Sequence, residues 1–397
     1  MKIRIVTLGC KLNFAESSAL MNTLIARGHE RAKQGEQADI CIINTCTVTD
    51  TADHKDRQAI HRVKRENPGA RIIVTGCYAA LKPKEIADML EVDHVVAKPM
   101  SEFRHAYSRD DRTRCFLKVQ DGCNYFCTYC TIPMARGRSR NPQISEVVAR
   151  AEHALAEGAK ELILTGVNIG DFGRSTGESF IDLIRAIDSI DGTFRVRISS
   201  CEPNLLSDEI IDFVAHSRHF APHFHIPLQS GNDEVLKIMH RRYTRELFRE
   251  RVEHIKRVMP NAFIGVDCMM GVRGETAERW QDYLDFISSL DVSQLHVFTY
   301  SERAGTRMLD MDLPVIPQRE REQRSKILHR ISNEKLIAFY RAHEKDTVTV
   351  LWESKKTADG RMYGFTENYI KVSRPYDRTL VNTFETCVCG IDIRQAL

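Results

Sequence analysis

The sequence lacks any long uninterrupted run of hydrophobic residues. Its apolar stretches, such as residues 3–6, are short and broken by polar residues, far below the roughly 18 residues that a membrane span needs. The first residues also lack an apolar segment followed by a small-residue cleavage site, so we expect no export signal. These absences predict a cytoplasmic protein that has no membrane partner.

Charge of one sign is also scarce. The 57 Lys and Arg residues nearly balance the 54 Asp and Glu residues, which leaves a net charge of +3 across 397 residues. A balance this small neither indicates nor excludes a nucleic-acid partner, so any basic surface must be local. The composition excludes a disordered or fibrous chain. The length allows two to four domains at roughly 100–200 residues each.

Cysteine, by contrast, is plentiful, with 12 residues. In a reducing compartment such a surplus points to metal or redox chemistry before disulfides. The strongest pattern is Cys-x3-Cys-x2-Cys, formed by Cys123, Cys127 and Cys130. Three thiolates in so short a loop can bind one face of a 4Fe–4S cluster and leave the fourth iron open. A closed zinc site is the alternative, but no second Cys/His pair follows at the spacing of zinc ribbons or fingers.

The residues after this loop alternate between predicted strands and helices. Strands are predicted at 161–165, 194–199, 223–227, 263–267 and 294–298, and helices at 144–157, 180–190, 205–215, 245–258 and 275–290. Repeated strand–helix units predict a parallel sheet, and about six of them allow a partial barrel. Chemistry in such barrels gathers at the carboxyl ends of the strands. The polar residues there are pocket candidates as a set, although each alone is better explained as a turn or cap residue.

Three more cysteines, in the first hundred residues, each follow a short predicted strand. These cysteines are Cys10, Cys46 and Cys77, after strands at 3–7, 40–44 and 71–75 that helices at 15–26 and 55–65 separate. The order β-α-β-α-β predicts an open parallel sheet, whose strands end at one edge. The three cysteines should converge there and form a second open cluster site. Packing is the alternative for any one of them, and Cys41 inside its strand is interpreted as a buried hydrophobe.

Several further motifs accompany the two cysteine sets. They include Thr7-Leu-Gly-Cys-Lys-Leu-Asn13, Asn44-Thr-Cys-Thr-Val48, Thr165-Gly-Val-Asn-Ile-Gly170, Pro227-Leu-Gln-Ser-Gly231 and Gly364-Phe-Thr-Glu-Asn-Tyr-Ile-Lys-Val372. Together they resemble the radical S-adenosylmethionine methylthiotransferase family over essentially the whole chain. The last motif is similar to the TRAM domain, a small RNA-binding β-barrel. Within the family, Gly-Cys-Lys at Lys11 resembles the branch that acts on N6-threonylcarbamoyladenosine in tRNA.

The resemblance implies an α/β protein of three domains. These are a Rossmann-like methylthiotransferase domain at 1–108, a partial (β/α)6 TIM-type radical domain at 109–340 and a TRAM domain at 341–397. It also implies that the six cysteines are catalytic, holding one 4Fe–4S cluster on Cys123, Cys127 and Cys130 and an auxiliary 4Fe–4S cluster on Cys10, Cys46 and Cys77. S-adenosylmethionine would be both methyl donor and radical source, and a methylthio group would replace hydrogen at C2 of the adenosine next to the anticodon.

Contacts to cofactor and substrate are expected from four groups of residues. Tyr129, Gly166, Asn168, Ser200, Glu202 and Gln229 are candidates for S-adenosylmethionine, and Asp267 for orienting the nucleoside. Arg136, Arg138 and Arg140 are candidates for clamping anticodon-loop phosphates, with a solvated basic turn as the alternative. Residues 240–242 form another basic cluster. Phe365 and Tyr369 are candidates for base stacking, although core packing better explains at least one of them.

Three functions compete at this stage. The first is tRNA methylthiolation, on threonylcarbamoyladenosine or alternatively on isopentenyladenosine. The second is the same chemistry on a ribosomal protein side chain, which the Gly-Cys-Lys motif and the TRAM-like tail disfavour. The third is a non-catalytic iron–sulfur RNA-binding protein, which is disfavoured because carriers usually close their clusters with four ligands. We expect the tRNA anticodon loop and an electron donor such as flavodoxin or ferredoxin as partners of a monomer; the sequence does not identify the sulfur source.

Two segments depart from the family pattern. Val272 and Arg273 replace a usual Phe-Pro pair, and residues 301–304 lack a proline that is often present. Both segments are distant from the cysteines in sequence, so we expect them to alter loop and substrate contacts rather than cluster chemistry. A predicted helix at 316–342, rich in Arg and Glu, is interpreted as a solvated connector.

Overall fold

The computed structural model describes residues 1–33, 35–97, 102–108 and 113–390. Its first unit is a parallel sheet of the strands β1 (Lys2–Thr7), β2 (Glu30–Arg31), β3 (Ile40–Thr45), β4 (Arg71–Gly76) and β5 (His94–Val96). The order β2-β1-β3-β4-β5 places the three cysteine-bearing strands side by side. The predicted β-α-β-α-β parallel sheet is therefore confirmed.

The helices of this unit begin earlier than the sequence predicts. They are α1 (Lys11–Ala26), α2 (Asp50–Glu66), α3 (Cys77–Leu81) and α4 (Pro83–Ala87). Cys10 itself is the N-cap of α1, and the Thr49 hydroxyl caps α2 by accepting a hydrogen bond from the amide of Ala52 (3.1 Å). The first turn of α2 contains mostly polar residues, so hydrophobic periodicity does not reveal it.

The second unit contains six parallel strands. They are β6 (Arg114–Lys118), β7 (Glu161–Thr165), β8 (Arg195–Ile198), β9 (His223–Gln229), β10 (Phe263–Met270) and β11 (Gln294–Thr299). Bridges between Val196 and Phe220 and between Ser200 and His225 connect β8 to β9. The strands thus continue from β6 to β11 as the predicted partial barrel.

Seven helices accompany these strands among the described residues. They are α5 (Ile132–Arg136), α6 (Ile144–Ala156), α7 (Phe180–Asp188), α8 (Asp208–His216), α9 (Asp233–Ile238), α10 (Arg245–Val258) and α11 (Ala277–Ser289). Most of their apolar faces join one large buried cluster with the strands. Helix α10 matches its predicted bounds, and the other helices that follow the strands differ by a few residues at their ends. The strand faces that point to the barrel interior carry polar and charged side chains, such as Lys118 and Arg197, beside apolar ones such as Phe116 and Ile163.

A long helix, α12 (Gln318–Ala342), follows the barrel and corrects one prediction. It is not a solvated connector, because one face is buried against β11 and β10. The Ser332 hydroxyl accepts from the amide of Leu295 (3.0 Å) and donates to its carbonyl (2.9 Å), while Arg324 pairs with Glu275 (2.8 Å). Among the described residues, no helix combines the length and apolarity needed to span a bilayer.

The last unit is a four-stranded antiparallel sheet. Its strands are β12 (Thr347–Trp352), β13 (Arg361–Phe365), β14 (Lys371–Pro375) and β15 (Phe384–Val388), in the order β14-β13-β12-β15. Trp352, Met362 and Val372 form its core together with Phe339 of α12 and Phe263 of β10. The tail is therefore packed against the barrel rather than tethered beside it.

The two unusual segments have defined roles in the fold. Val272 is fully buried in a small apolar cluster with Met239 and Met308. Arg273 donates to the Glu302 carboxylate (3.0 Å) and the Leu309 carbonyl (3.3 Å). Val272 thus holds this loop by apolar burial, and Arg273 holds it by hydrogen bonds.

A buried ion cluster joins the barrel to the tail. Glu161 binds Arg195 (3.3 Å) and Arg197 (3.0 Å), and the same arginines donate to carbonyls of the tail at Thr349 (2.7 Å) and Thr366 (2.7 Å). Burial opposes ionisation of Glu161, but Arg197 and Arg195 keep its pKa below the usual range. The tail is docked by directional hydrogen bonds as well as by apolar contact.

Removing one member of this cluster should destabilise the fold. Arg197→Met leaves Glu161 buried with one cation fewer and frees tail carbonyls, so we expect a loss of about 3 kcal/mol in the free energy of unfolding, measured by urea denaturation. The matched control is Arg330→Met, whose side chain is 70% exposed, and its effect should stay below about 0.5 kcal/mol. Equal effects of the two substitutions would contradict this role.

Candidate active site

Cys10, Cys46 and Cys77 converge at the carboxyl edge of the N-terminal sheet. Cys46 and Cys77 follow β3 and β4 directly, Cys10 follows β1 after two residues, and the three strands are neighbours. Burial, together with the smaller effects of the nearby Cys10 and Cys77, raises the pKa of Cys46 to about 12. Cys46 and Cys77 are buried, whereas Cys10 is exposed. The structure thus places the three cysteines after neighbouring strands at one edge of the sheet, and their role as a joint ligand set stays a prediction.

Two glycines allow the strand-end loops to approach each other. Gly9 has a φ of +96°, and a Cβ there would lie 2.8 Å from Sγ of Cys46. Gly76 has a φ of +103°, and its Cβ would lie 2.4 Å from the Thr45 carbonyl oxygen. Any side chain at these positions would be strained and would displace the cysteine loops.

Asn13 fixes the same loops from the first turn of α1. Its amide donates to the carbonyls of Leu8 (2.9 Å) and Thr45 (3.0 Å), and its backbone carbonyl accepts from the Asn44 amide (3.0 Å). In the sequence, Asn13 stands out only as part of a motif. Its role as the residue that holds two cysteine-bearing loops together required the structure.

Cys123, Cys127 and Cys130 lie in the loop between β6 and α5. Cys127 is buried and the other two are half-buried. Burial raises the pKa of Cys123 to about 11 and that of Cys130 to about 12. Phe126, in the left-handed region at a φ of 52°, turns the chain between the first two cysteines. The loop therefore gathers three thiols above the barrel strands.

Arg241 is the residue of this site that sequence reasoning missed. Its guanidinium donates to Sγ of Cys127 (3.2 Å) and the hydroxyl of Tyr129 (3.4 Å), and it forms an ion pair with Glu202. In the sequence, Arg241 belongs to the basic cluster at residues 240–242, but only 4% of its side chain is exposed. Burial holds the pKa of Glu202 above its usual range, although the charge of Arg241 opposes this shift.

Several of the other residues at the strand ends carry buried polar atoms that have no partner among the described residues. Both amide atoms of Asn168, the hydroxyl of Ser199 and Oε1 of Gln229 are buried and lack a hydrogen bond within the described residues. Gly166 lies against Gln120, since a Cβ there would be 2.8 Å from Oε1. Ser200 is half-buried beside β9. Unsatisfied buried polar atoms are costly, so this group is suited to a polar ligand.

Asp267 faces the barrel interior from β10. It accepts a hydrogen bond from Nε2 of His225 (2.7 Å), and Nδ1 of His296 lies 3.3 Å away. Burial opposes its charge, but His225 and His296 hold the pKa of Asp267 well below the usual range. The carboxylate is thus already paired inside the protein.

The three arginines after the cysteine loop have different environments. Arg136 is buried and donates to Asp121 (3.0 Å) and Asn13 (2.6 Å). Arg140 binds Asp121 (3.0 Å) and the Arg136 carbonyl (2.6 Å). The prediction of phosphate clamping is wrong for these two, because internal acceptors use their guanidiniums. Arg138 is exposed and stays a candidate.

Phe365 and Tyr369 contact each other at the barrel–tail junction. Their rings stack at 5.0 Å between centroids, and Arg114 donates to the Tyr369 hydroxyl (3.1 Å). Tyr369 also packs on His223 (4.8 Å). Core packing therefore explains Tyr369, whereas the half-buried Phe365 remains a candidate for RNA contact.

The two cysteine sets meet across one interface. The Thr131 hydroxyl, just after Cys130, donates to the carbonyl of Thr47, just after Cys46 (3.4 Å). Arg303, from the segment that lacks the usual proline, donates to the hydroxyl of Thr47 (2.7 Å) and to Asp53 (2.8 Å). The expectation that this segment is remote from the cysteines is wrong, because the fold brings it against the loop after Cys46.

The donor sets fit iron–sulfur clusters. All six thiols are free, and thiolates are the ligands that such clusters prefer. Each set offers three donors in a compact arrangement. The unpartnered atoms of Asn168 and Gln229 offer hydrogen bonds to a polar cofactor on the same side of the barrel. Iron binding would also offset the cost of ionising thiols whose pKa values burial has raised.

Comparison with known proteins identifies the family. Residues 2–97 match the model described as Uncharacterized protein family UPF0004, and residues 117–287 match the Radical SAM superfamily. The chain is 36% identical to "Threonylcarbamoyladenosine tRNA methylthiotransferase MtaB" of Bacillus subtilis (strain 168), over 92% of this chain and 88% of the relative. The chain belongs to the radical S-adenosylmethionine methylthiotransferase family, in its threonylcarbamoyladenosine branch.

Other comparisons agree with this family. The chain is 34% identical to the MtaB protein of Aquifex aeolicus (strain VF5), over 94% of this chain and 97% of the relative. It is 31% identical to "tRNA-2-methylthio-N(6)-dimethylallyladenosine synthase" of Desulfitobacterium hafniense (strain Y51), over 96% and 93%. A solved radical S-adenosylmethionine methyltransferase, TsrM from Kitasatospora setae, shares the fold with a TM-score of 0.53 at 15% identity, over 75% of this chain and 74% of that one. The cofactors expected from the sequence, two 4Fe–4S clusters and S-adenosylmethionine, are those of the methylthiotransferase family.

The Arg241–Glu202 pair should behave as one unit in this methylthiotransferase. Arg241→Met leaves a buried carboxylate without its cation, so we expect a loss of about 3 kcal/mol in the free energy of unfolding. Adding Glu202→Gln removes the stranded charge and should recover most of that loss in urea denaturation. Arg242→Met, at an exposed neighbour, serves as the control. A double variant as unstable as Arg241→Met alone would contradict the pairing.

Proposed function

We propose that this chain adds a methylthio group to C2 of N6-threonylcarbamoyladenosine next to the tRNA anticodon. The observation that carries the proposal is the meeting of two three-cysteine sets at Thr47 and Thr131. Buried polar atoms of Asn168 and Gln229 that lack partners among the described residues add to it. The relatives in Bacillus subtilis and Aquifex aeolicus are named as threonylcarbamoyladenosine tRNA methylthiotransferases, which supports this choice of substrate. A non-catalytic role would leave this arrangement without a purpose.

Each set has a distinct proposed role. Cys10, Cys46 and Cys77 hold the auxiliary cluster, and Cys123, Cys127 and Cys130 hold the radical cluster. When bound, the clusters and S-adenosylmethionine supply the sulfur, the methyl group and the radical. The chain's own contribution is to hold substrate and cofactors at one interface away from bulk water. Tyr129, Gly166, Asn168, Ser200, Glu202 and Gln229 orient S-adenosylmethionine, with Arg241 positioning Glu202.

RNA binding is proposed for the tail and the loop after the radical cysteines. We propose the domain limits 1–108, 109–340 and 341–397, with the last part a TRAM barrel; residues 109–112 and 391–397 lie outside the described part. The four-stranded antiparallel sheet, and the motif at residues 364–372 that resembles a TRAM domain, support the assignment of the last part as a TRAM barrel. Arg138 and Phe365 are the RNA-contact candidates that stay accessible at least in part.

The cellular setting follows from the chemistry. We propose a cytoplasmic monomer that receives electrons from a donor such as flavodoxin or ferredoxin. The support is the set of free cysteines, which a reducing compartment maintains, and a tRNA substrate. Gel filtration of the reconstituted protein tests the oligomeric state.

Nucleoside mass spectrometry tests the proposed reaction directly. Reconstituted enzyme, reductant and S-adenosylmethionine are incubated with tRNA that contains both threonylcarbamoyladenosine and isopentenyladenosine. We expect the methylthio product of the threonylcarbamoyl nucleoside only. The relative named as a dimethylallyladenosine synthase makes the isopentenyl nucleoside the second candidate, and a product there would keep the chemistry while changing the substrate. Cleavage of S-adenosylmethionine with neither product would favour a protein substrate.

Iron content tests the cysteine assignment. Anaerobically reconstituted protein should hold roughly eight irons on the basis of two 4Fe–4S clusters. Changing Cys10, Cys46 and Cys77 together to Ala should leave about half, and Cys41→Ala, inside β3, should leave the content as it was. Unchanged iron in the triple variant would remove the auxiliary site from the proposal.

A further inference from the structure

Lys11 directs its side chain toward the barrel interior. It is the first residue of α1, and residues three and four apart share one face of a helix. On that face, Phe14 and Ala15 pack against Phe116 of β6 and Ile163 of β7 in one apolar cluster. Lys11 therefore occupies the end of the helix face that covers the barrel.

The charged groups around Lys11 belong to the layer of the barrel beneath this cluster. Side chains alternate along a strand, so Arg114 shares a face with Phe116, and Glu161 shares one with Ile163. These two residues, Arg197 and Tyr369 are the groups whose charges act on Lys11. His223 of β9 also experiences the charge of Lys11. The ammonium thus projects across the barrel interior.

The acidic groups of this region are already occupied. Glu161 is bound by Arg195 and Arg197, Glu353 by Arg114 (3.0 Å), and Asp267 by His225 and His296. Lys11 makes no hydrogen bond or ion pair with any residue that the structure describes. The barrel interior therefore holds an excess of positive charge and one cation without a counter-ion.

The region around Lys11 is nevertheless not closed on all sides. Lys11 is half-buried, and on the opposite strand β11 His296 keeps 38% of its side chain exposed. The partial exposure of these two residues distinguishes this part of the barrel from its closed core. An isolated charge in such a place is unfavourable unless an anion joins it.

We propose that Lys11 binds the carboxylate of the threonylcarbamoyl group of the substrate nucleoside. The inference rests on the proposed function, which brings adenine C2 to the auxiliary site beside Cys10. In adenine only N1 separates C2 from the carbon that carries N6. A substituent on N6 therefore lies close to the reacting carbon, within reach of a side chain adjacent to Cys10. An isopentenyl group carries no charge and would leave the Lys11 ammonium unpaired, which disfavours that substrate.

The test pairs a protein change with a substrate change. Lys11→Met keeps the length and removes the charge, Lys11→Arg keeps the charge, and Lys55→Met is the control at an exposed lysine. Each protein is given anticodon stem-loop RNA with threonylcarbamoyladenosine or with its uncharged methyl ester. The readouts are kcat/KM for methylthiolation, RNA affinity by fluorescence anisotropy, and iron content.

Charge pairing predicts a specific pattern. Wild type, Lys11→Arg and Lys55→Met should prefer the free acid over the ester, whereas Lys11→Met should lose on the order of 100-fold in kcat/KM and in affinity for the acid. Against the ester, Lys11→Met and wild type should differ by less than about threefold. Iron content should match in all four proteins.

Three other results would overturn the inference. Equal losses of Lys11→Met on acid and ester would indicate a structural role for Lys11. Full retention of activity on the acid would exclude the carboxylate contact. Wild-type protein that holds both clusters and cleaves S-adenosylmethionine, but modifies neither RNA, would overturn the proposed function itself. The ester comparison and the wild-type reaction therefore separate the two failures.

Discussion

The arrangement of the active site depends on the buried carboxylate of Asp121. It binds Lys118 (2.8 Å) and Arg136 (3.0 Å), and Glu16 of α1 binds the same two cations. Burial opposes the charge of Asp121, but the cations keep its pKa low. Because buried charges are costly unless all partners are in place, this network favours one position of α1 on the barrel. Arg136 extends it to Asn13, which fixes the auxiliary cysteine loops.

The opposite end of the barrel uses the same device with different consequences. There Glu161 and two arginines bind backbone carbonyls of the tail, so the docking depends on hydrogen-bond direction and not on apolar area alone. At both junctions the acidic groups near the barrel interior are therefore already paired with cations. Lys11 is left as the cation that neither junction neutralises. The positive interior is in this sense a consequence of how the three parts of the chain are joined.

The sequence was sufficient where chemistry and periodicity are local. Parallel strands followed by cysteines predicted the edge where Cys10, Cys46 and Cys77 meet, and alternating strands and helices predicted the barrel. It was insufficient where distant partners decide. Arg136 and Arg138 belong to one basic run of the sequence. Arg136 is buried with Asp121 and Asn13 as its partners, whereas Arg138 is exposed. The buried face of α12 was hidden because several of the residues on it are charged or polar.

Recognition and chemistry are separable within one turn of α1. Cys10 is the extended N-cap residue that precedes α1 and lies with the other cysteines, whereas Lys11, the first residue of the helix, shares the helix face that covers the barrel. Asn13 holds the cysteine loops through its own amide. A different residue at position 11 can therefore change which nucleoside fits without moving Cys10. Substrate choice is then set beside the auxiliary site, whereas the geometry of the cysteines is set by Gly9, Gly76 and Asn13.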